Sequence, residues 1–174
     1  LDQRLHVEPL LDRLLEFLED QALLFQDLPH DRLPKAHHAS GGAEAAVQTV
    51  RPALSAYAEP VLHVGPTGSG QRVKLVNNTL FAAQIGIVAE AVRLAGRLGV
   101  DEATLLGALP HGSGTSRALT SIAAAGSADR FIAAVGEFVG KDVAVIRATV
   151  AELGGDLGML DDAVDAGLAG SRRS

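Results

Sequence analysis

Cysteine and tryptophan are absent, and one tyrosine, five phenylalanines and one methionine complete a sparse set of large soft side chains. Without a thiol, the 174-residue chain offers no disulfide, no thiolate nucleophile and no cysteine-ligated metal. Aromatics at 3% leave little material for a base-stacking surface. A formal charge of −6, with scattered lysines and arginines, excludes the basic patch that a nucleic-acid partner requires. No charged-then-apolar leader opens the sequence, so the expectation is a cytoplasmic protein without a secretion signal. The longest apolar window, 76–92, is interrupted by Asn77, Asn78, Gln84 and Glu90. It reads as a buried helix rather than a membrane span.

What the sequence does contain is organised around the stretch from His63 to Gly99. A short apolar run ending in Val61-Leu62-His63-Val64 reads as a strand. The glycine-rich turn Gly65-Pro66-Thr67-Gly68-Ser69-Gly70 follows, and then a long helix carrying Lys74, Asn77 and Asn78 among apolar residues. Burying a lysine and two amides beside such surface costs several kcal/mol, on the order of 2–7 per unpaired polar group, unless they are hydrogen-bonded or used. The glycine frame suits a phosphate-binding loop, but that motif needs Lys and Ser/Thr directly after its last glycine. Gln71 and Arg72 stand there instead, so no hydroxyl is available for magnesium. A dinucleotide fingerprint fails as well, because Val73 occupies the position of its third glycine.

The longer string Gly65-x-x-Gly68-x-Gly70-x-x-x-Lys74-x-x-Asn77-Asn78 closely resembles the start of the C-terminal domain of β-hydroxyacid dehydrogenases. That family includes the 3-hydroxyisobutyrate, tartronate semialdehyde and 6-phosphogluconate dehydrogenases. The residues suit the comparison. Lys74 and Asn78 are four apart and share a helix face, so they can converge on one small ligand. A lysine partly desolvated near a helix start can pass a proton. The glycines allow close approach of a substrate or of a neighbouring segment.

Residues 1–28 show helical spacing in Val7, Leu10, Leu11, Leu14, Leu15 and Leu18, with Pro9 suited to a first turn. Residues 29–42 read as a linker, and the adjacent His37 and His38 lack the further ligands that a metal site needs. The resemblance begins near Gly41, where Gly41-Gly42-Ala43-Glu44 and Arg51-Pro52 look like the end of the family's nucleotide domain. The rest of that domain would stand upstream, and no strand–GxGxxG–helix unit occurs in this chain. The expected organisation is therefore 1–39 as helix and linker, 40–64 as a remnant of a nucleotide-binding domain, and 65–174 as a helical substrate and dimerisation domain.

Downstream, Asp101 is placed to cap a short helix, the hydroxyls of the turn His111-Gly112-Ser113-Gly114-Thr115-Ser116 can cap the next one, over 116–125, and Ser127 or Asp129 caps a second long helix through Leu153. That helix holds Lys141-Asp142-Val143, which resembles the family's Lys-Asp-Leu motif. A last helix over 157–169 turns Leu157, Leu160, Val164 and Leu168 inward.

The expected fold is all-α, of the multi-helix 6-phosphogluconate dehydrogenase-like type, with two long core helices and at most a short strand near 61–64. The resemblance implies NAD(P)-linked oxidation of a 3-hydroxy acid to a semialdehyde, or the reverse. Lys74 would be the general acid/base; Gly70, Asn78 and Ser113 would bind substrate; Lys141 would contact NAD or NADP; Asp142 would tie down local structure. No metal is expected. The implied partners are a small hydroxy-acid or semialdehyde substrate and a second copy, as homodimer or higher homo-oligomer, with neither nucleic acid nor membrane. The alternative is a catalytically inactive truncated chain acting only as a helical dimerisation module, its long apolar helices burying surface by self-association.

Overall fold

The structure, a computed structural model, describes residues 36–55 and 58–168. The helix expected over 1–28, residues 29–35 with His30, and the tail from residue 169 lie outside the described residues. In chain order the elements are β1 (Ala36–Ser40), α1 (Glu44–Leu54), β2 (Ala58–His63), α2 (Ser69–Arg97) and α3 (Glu102–Ala108). A 3₁₀ turn (Leu109–His111), α4 (Arg117–Ala125), α5 (Ala128–Glu152) and α6 (Met159–Leu168) complete them. The chain divides into two compact units, Leu1–Gly70 and Gln71–Ser174.

In the first unit β1, α1 and β2 form a βαβ crossover. β1 runs parallel to β2, with Ala36 opposite Ala58, His38 opposite Val61 and Ser40 opposite His63. Residues 36–40 therefore belong to a strand and not to the linker that their histidines and flanking glycines suggest. Local composition could not show a pairing with a strand some twenty residues later. The strand expected near 61–64 runs over Ala58–His63 and includes Pro60, which a sheet edge tolerates because no ladder donor is needed there. Val47 of α1 is buried, as are Ala58 and Val61 of β2, and Arg51 Nη1 donates to the Val61 carbonyl at 2.8 Å.

The glycine turn is fixed by backbone proximity. A Cβ on Gly41 would lie 2.7 Å from the Pro66 carbonyl oxygen, and one on Gly70 would lie 2.5 Å from that of Ala39. His63 Nε2 lies 2.8 Å from the Gly42 oxygen and 3.0 Å from that of Gly65. Both are carbonyls, so the ring nitrogen is the donor.

The second unit is all helix. Its core joins Ala82, Ile85 and Val88 of α2, Leu106 of α3, Leu119 and Ile122 of α4, Ile132, Val139 and Val143 of α5, and Val164 of α6. Asp101 caps α3 through the Thr104 N–H at 2.9 Å, and Ser116 caps α4 through that of Leu119 at 3.1 Å. The start of α5 differs from expectation. Ser127 holds the N-cap position without a side-chain bond, and Glu102 Oε1 reaches over from α3 to accept from the Ala128 N–H at 2.8 Å. Leu160 of α6, expected inside, is 37% exposed, whereas Val164 is fully buried. α2 begins at Ser69 and places Lys74 in its second turn. Its outward side carries apolar residues among charged ones: Val76, Ile87 and Leu94 are each about half exposed or more, beside exposed Glu90 and Arg93.

Candidate active site

Lys74 and Asn78 both lie half-buried on α2, one helical turn apart. Asn78 Nδ2 donates to Asp142 Oδ2 at 2.7 Å, a bond between α2 and α5 across 64 residues of sequence. An ionised acceptor makes this one of the stronger kinds of hydrogen bond. Asn78 Oδ1 accepts from Asn77 Nδ2 at 3.3 Å. Asn77 itself is exposed, so only the second amide of the pair meets the expectation of burial.

Lys141 precedes Asp142 by one residue, and a helix rotates by about 100° per residue. The two side chains accordingly diverge. Asp142 faces α2, and Lys141, 73% exposed, pairs with Glu137 Oε1 at 3.1 Å one turn earlier on the same helix. Ser113 stands exposed on the turn ahead of α4, and His111 is exposed at the end of the 3₁₀ turn. In the first unit, the groups close to Gly70 are the backbones of Ala39 and Gly41. The absence of a side chain there serves this backbone packing.

The Asn78–Asp142 bond joins two of the motifs read from sequence, Lys74-x-x-x-Asn78 and Lys141-Asp142. Asp142 is not among the substrate and cofactor ligands expected from sequence, and its partner was illegible because the contact is long-range. The signal was the resemblance of Lys141-Asp142-Val143 to the family's Lys-Asp-Leu motif, which implies that the aspartate ties down local structure. Among the described residues no three His, Asp or Glu side chains form a metal-holding group.

Comparison with known proteins identifies the family. The family profile described as "NAD-binding of NADP-dependent 3-hydroxyisobutyrate dehydrogenase" matches residues 68–170, more than half of the chain. The 2-(hydroxymethyl)glutarate dehydrogenase of Eubacterium barkeri is 35% identical over 79 residues, which cover 45% of this chain and 26% of that protein. The probable 3-hydroxyisobutyrate dehydrogenase of Mycobacterium tuberculosis is 35% identical over 74 residues, covering 42% and 25%. A solved structure of the Mycobacterium tuberculosis 3-hydroxyisobutyrate dehydrogenase with L-serine aligns with a TM-score of 0.60 and 26% identity. It covers 76% of this chain and 48% of that one. The aligned part thus spans about a quarter of these two curated relatives and about half of the solved chain. The chain belongs to the 3-hydroxyisobutyrate dehydrogenase family and carries the helical domain that this profile describes.

Proposed function

We propose that this chain forms the helical part of an NAD(P)-dependent oxidoreductase that interconverts a small 3-hydroxy acid and its semialdehyde. The observation that carries the reading is the Asn78–Asp142 bond, which ties the helix of the Lys-Asn pair to the helix of the Lys-Asp pair. The two curated relatives named above, dehydrogenases of hydroxy acids, agree in substrate class. Lys74 would hold or release the proton at the alcohol oxygen. Asn78 would orient the substrate by hydrogen bonding, with Ser113 as a further contact and Gly70 allowing a close backbone.

NAD(P), when bound, supplies the acceptor for the hydride leaving the alcohol carbon. The described residues fit one contact with it. Among the described residues the Lys141 ammonium pairs with Glu137 at an exposed position, and such pairs are weak enough to yield to a ligand anion. No glycine fingerprint for the whole dinucleotide accompanies it.

The test is formation of reduced nicotinamide from 3-hydroxyisobutyrate with NAD or NADP. Lys74→Ala should lower kcat by about 10²–10⁴-fold, and unchanged turnover overturns the assignment. A second reading, self-association through α2, is favoured by the apolar residues on its outward side, where Val76 is 62% and Ile87 58% exposed. Sedimentation velocity separates the readings. A dimer that Ile87→Glu dissociates, in a chain that binds no reduced nicotinamide, leaves the helical module alone.

A further inference from the structure

We propose that α6 is a strap that keeps its helical form only while docked, with Arg147 as an ionic latch that salt releases. Released, it unfolds by itself and leaves the rest of the second unit folded. The inference is independent of the proposed reaction.

α6 has 10 residues, Met159–Leu168, fewer than the roughly 12–15 below which an isolated helix is marginal in water. Its charged residues are Asp161, Asp162 and Asp165, and it contains no lysine or arginine. Asp161 and Asp162 lie in the first turn, where the helix dipole favours a negative charge. Asp165 lies beyond it, four residues after Asp161, and like charges at that spacing oppose the helix. The balancing charge comes from α5. Arg147 Nε donates to Asp161 Oδ1 at 2.6 Å, and Nη2 donates to Asp165 Oδ1 at 2.7 Å. One guanidinium thus converts a repelling pair into two partners. All three side chains are partly exposed, which leaves the latch open to screening.

The connection ahead of α6 permits the movement. It contains Gly154, Gly155 and Gly158, and Gly154 and Gly158 take φ values of 78° and 56°, which glycine adopts without strain. Among the described side chains and glycines of α6, Val164 and Gly167 are the buried positions. They close an apolar gap lined by Ala82 and Ile85 of α2 and by Ile132 and Val139 of α5. An element with so few buried apolar contacts opens at a lower free energy than the core. Its partners α2 and α5 are also joined by the Asn78–Asp142 bond, so the docked strap is a second tie between the same two helices.

Hydrogen exchange of the isotope-labelled 174-residue chain, read by NMR, tests the strap. In the wild type, amides 163–167 should be at least about tenfold less protected than those of Ile122 and Val143. Arg147→Met should lower the protection of α6 by a further factor of about five, and leave Ile122 and Val143 within about twofold. Asp165→Asn should change sign with background. It lowers the protection of α6 when Arg147 is present, and raises it when Arg147→Met has left the aspartates to repel. A guanidinium stem that acted by packing alone would give no such reversal. Between about 0.1 M and about 1 M NaCl the screening length falls from about 10 Å to about 3 Å. Wild-type α6 should lose protection over that range, and α6 of Arg147→Met should not.

Equal protection of α6 and the core in the wild type makes the second unit one cooperative block and overturns the strap. Unchanged α6 protection in Arg147→Met, or an Asp165→Asn effect of one sign in both backgrounds, overturns the latch. If Arg147→Met does not fold, the wild-type salt series decides: α6 protection that salt leaves unchanged relative to Ile122 and Val143 overturns the latch as well.

Discussion

Gly86 on α2 and Gly167 on α6 meet backbone to backbone: a Cβ on Gly167 would stand 3.0 Å from the Gly86 nitrogen, and one on Gly86 would be driven into the Ala163 carbonyl. The crossing brings α6 close enough for Arg93 Nη2 to donate to the Ala166 carbonyl at 3.1 Å. Neither glycine has room for a side chain without separating the helices. Gly86→Ala should therefore destabilise the second unit by about 1–3 kcal/mol through overpacking. At Gly96, on the same helix, a Cβ would meet nothing within 4 Å, so Gly96→Ala should gain about 0.5–1 kcal/mol from reduced backbone entropy. Denaturant unfolding of both variants checks the pair. Equal effects would mean that the helix crossing is looser than these distances.

The local signals read from sequence were those with a local physical cause. Asp101 was legible as a cap, and the turn before α4 as the source of one, because a cap bonds an N–H three residues away; that Ser116 supplies it is shown by the structure. The long helices were legible because their apolar residues recur at helical spacing. β1 was not, because His37 and His38 look like loop residues until β2 pairs with their strand. Asp142 as the partner of Asn78, and Glu102 as the cap of α5, share that cause: each bond joins distant parts of the sequence. The side of α2 that remains outside the core was also illegible, since Val76 and Ile87 are as apolar as the residues that are buried.

The start of α5 gives a clean separation between position and partner. Ser127 sits at the N-cap with no side-chain cap bond, while Glu102 supplies the acceptor from α3. Glu102→Ala should cost about 1 kcal/mol, the usual worth of a lost cap, and Ser127→Ala should be close to neutral. Thermal unfolding of the two variants measures this. A larger loss for Ser127→Ala would reassign the cap.

Acid titration reads the cap of α3. Bonds from the Thr104 hydroxyl, and then from the Thr104 backbone N–H, hold the Asp101 carboxyl pKa below its ordinary value of 3.8. A depressed carboxylate contributes stability in full above the unfolded pKa, and loses it as pH falls through the lower folded value. The Tm difference between wild type and Asp101→Asn should accordingly shrink below about pH 4. A difference that is constant across that range would remove Asp101 as its source.

Lys141 separates cofactor contact from stability. Its ammonium and the Glu137 carboxylate are 73% and 88% exposed at 3.1 Å, an arrangement in which water screens most of the attraction. Lys141→Ala should therefore leave Tm nearly unchanged. If the ammonium meets NAD(P), the same variant should raise KM for the nucleotide and weaken its dependence on salt, because the lost contact is ionic. Glu137→Gln provides the opposite perturbation: it removes the local competitor for that ammonium and should lower KM or leave it in place. Steady-state kinetics at two ionic strengths measure both variants. A KM for NAD(P) that neither substitution moves would leave Lys141 as a solvated surface charge.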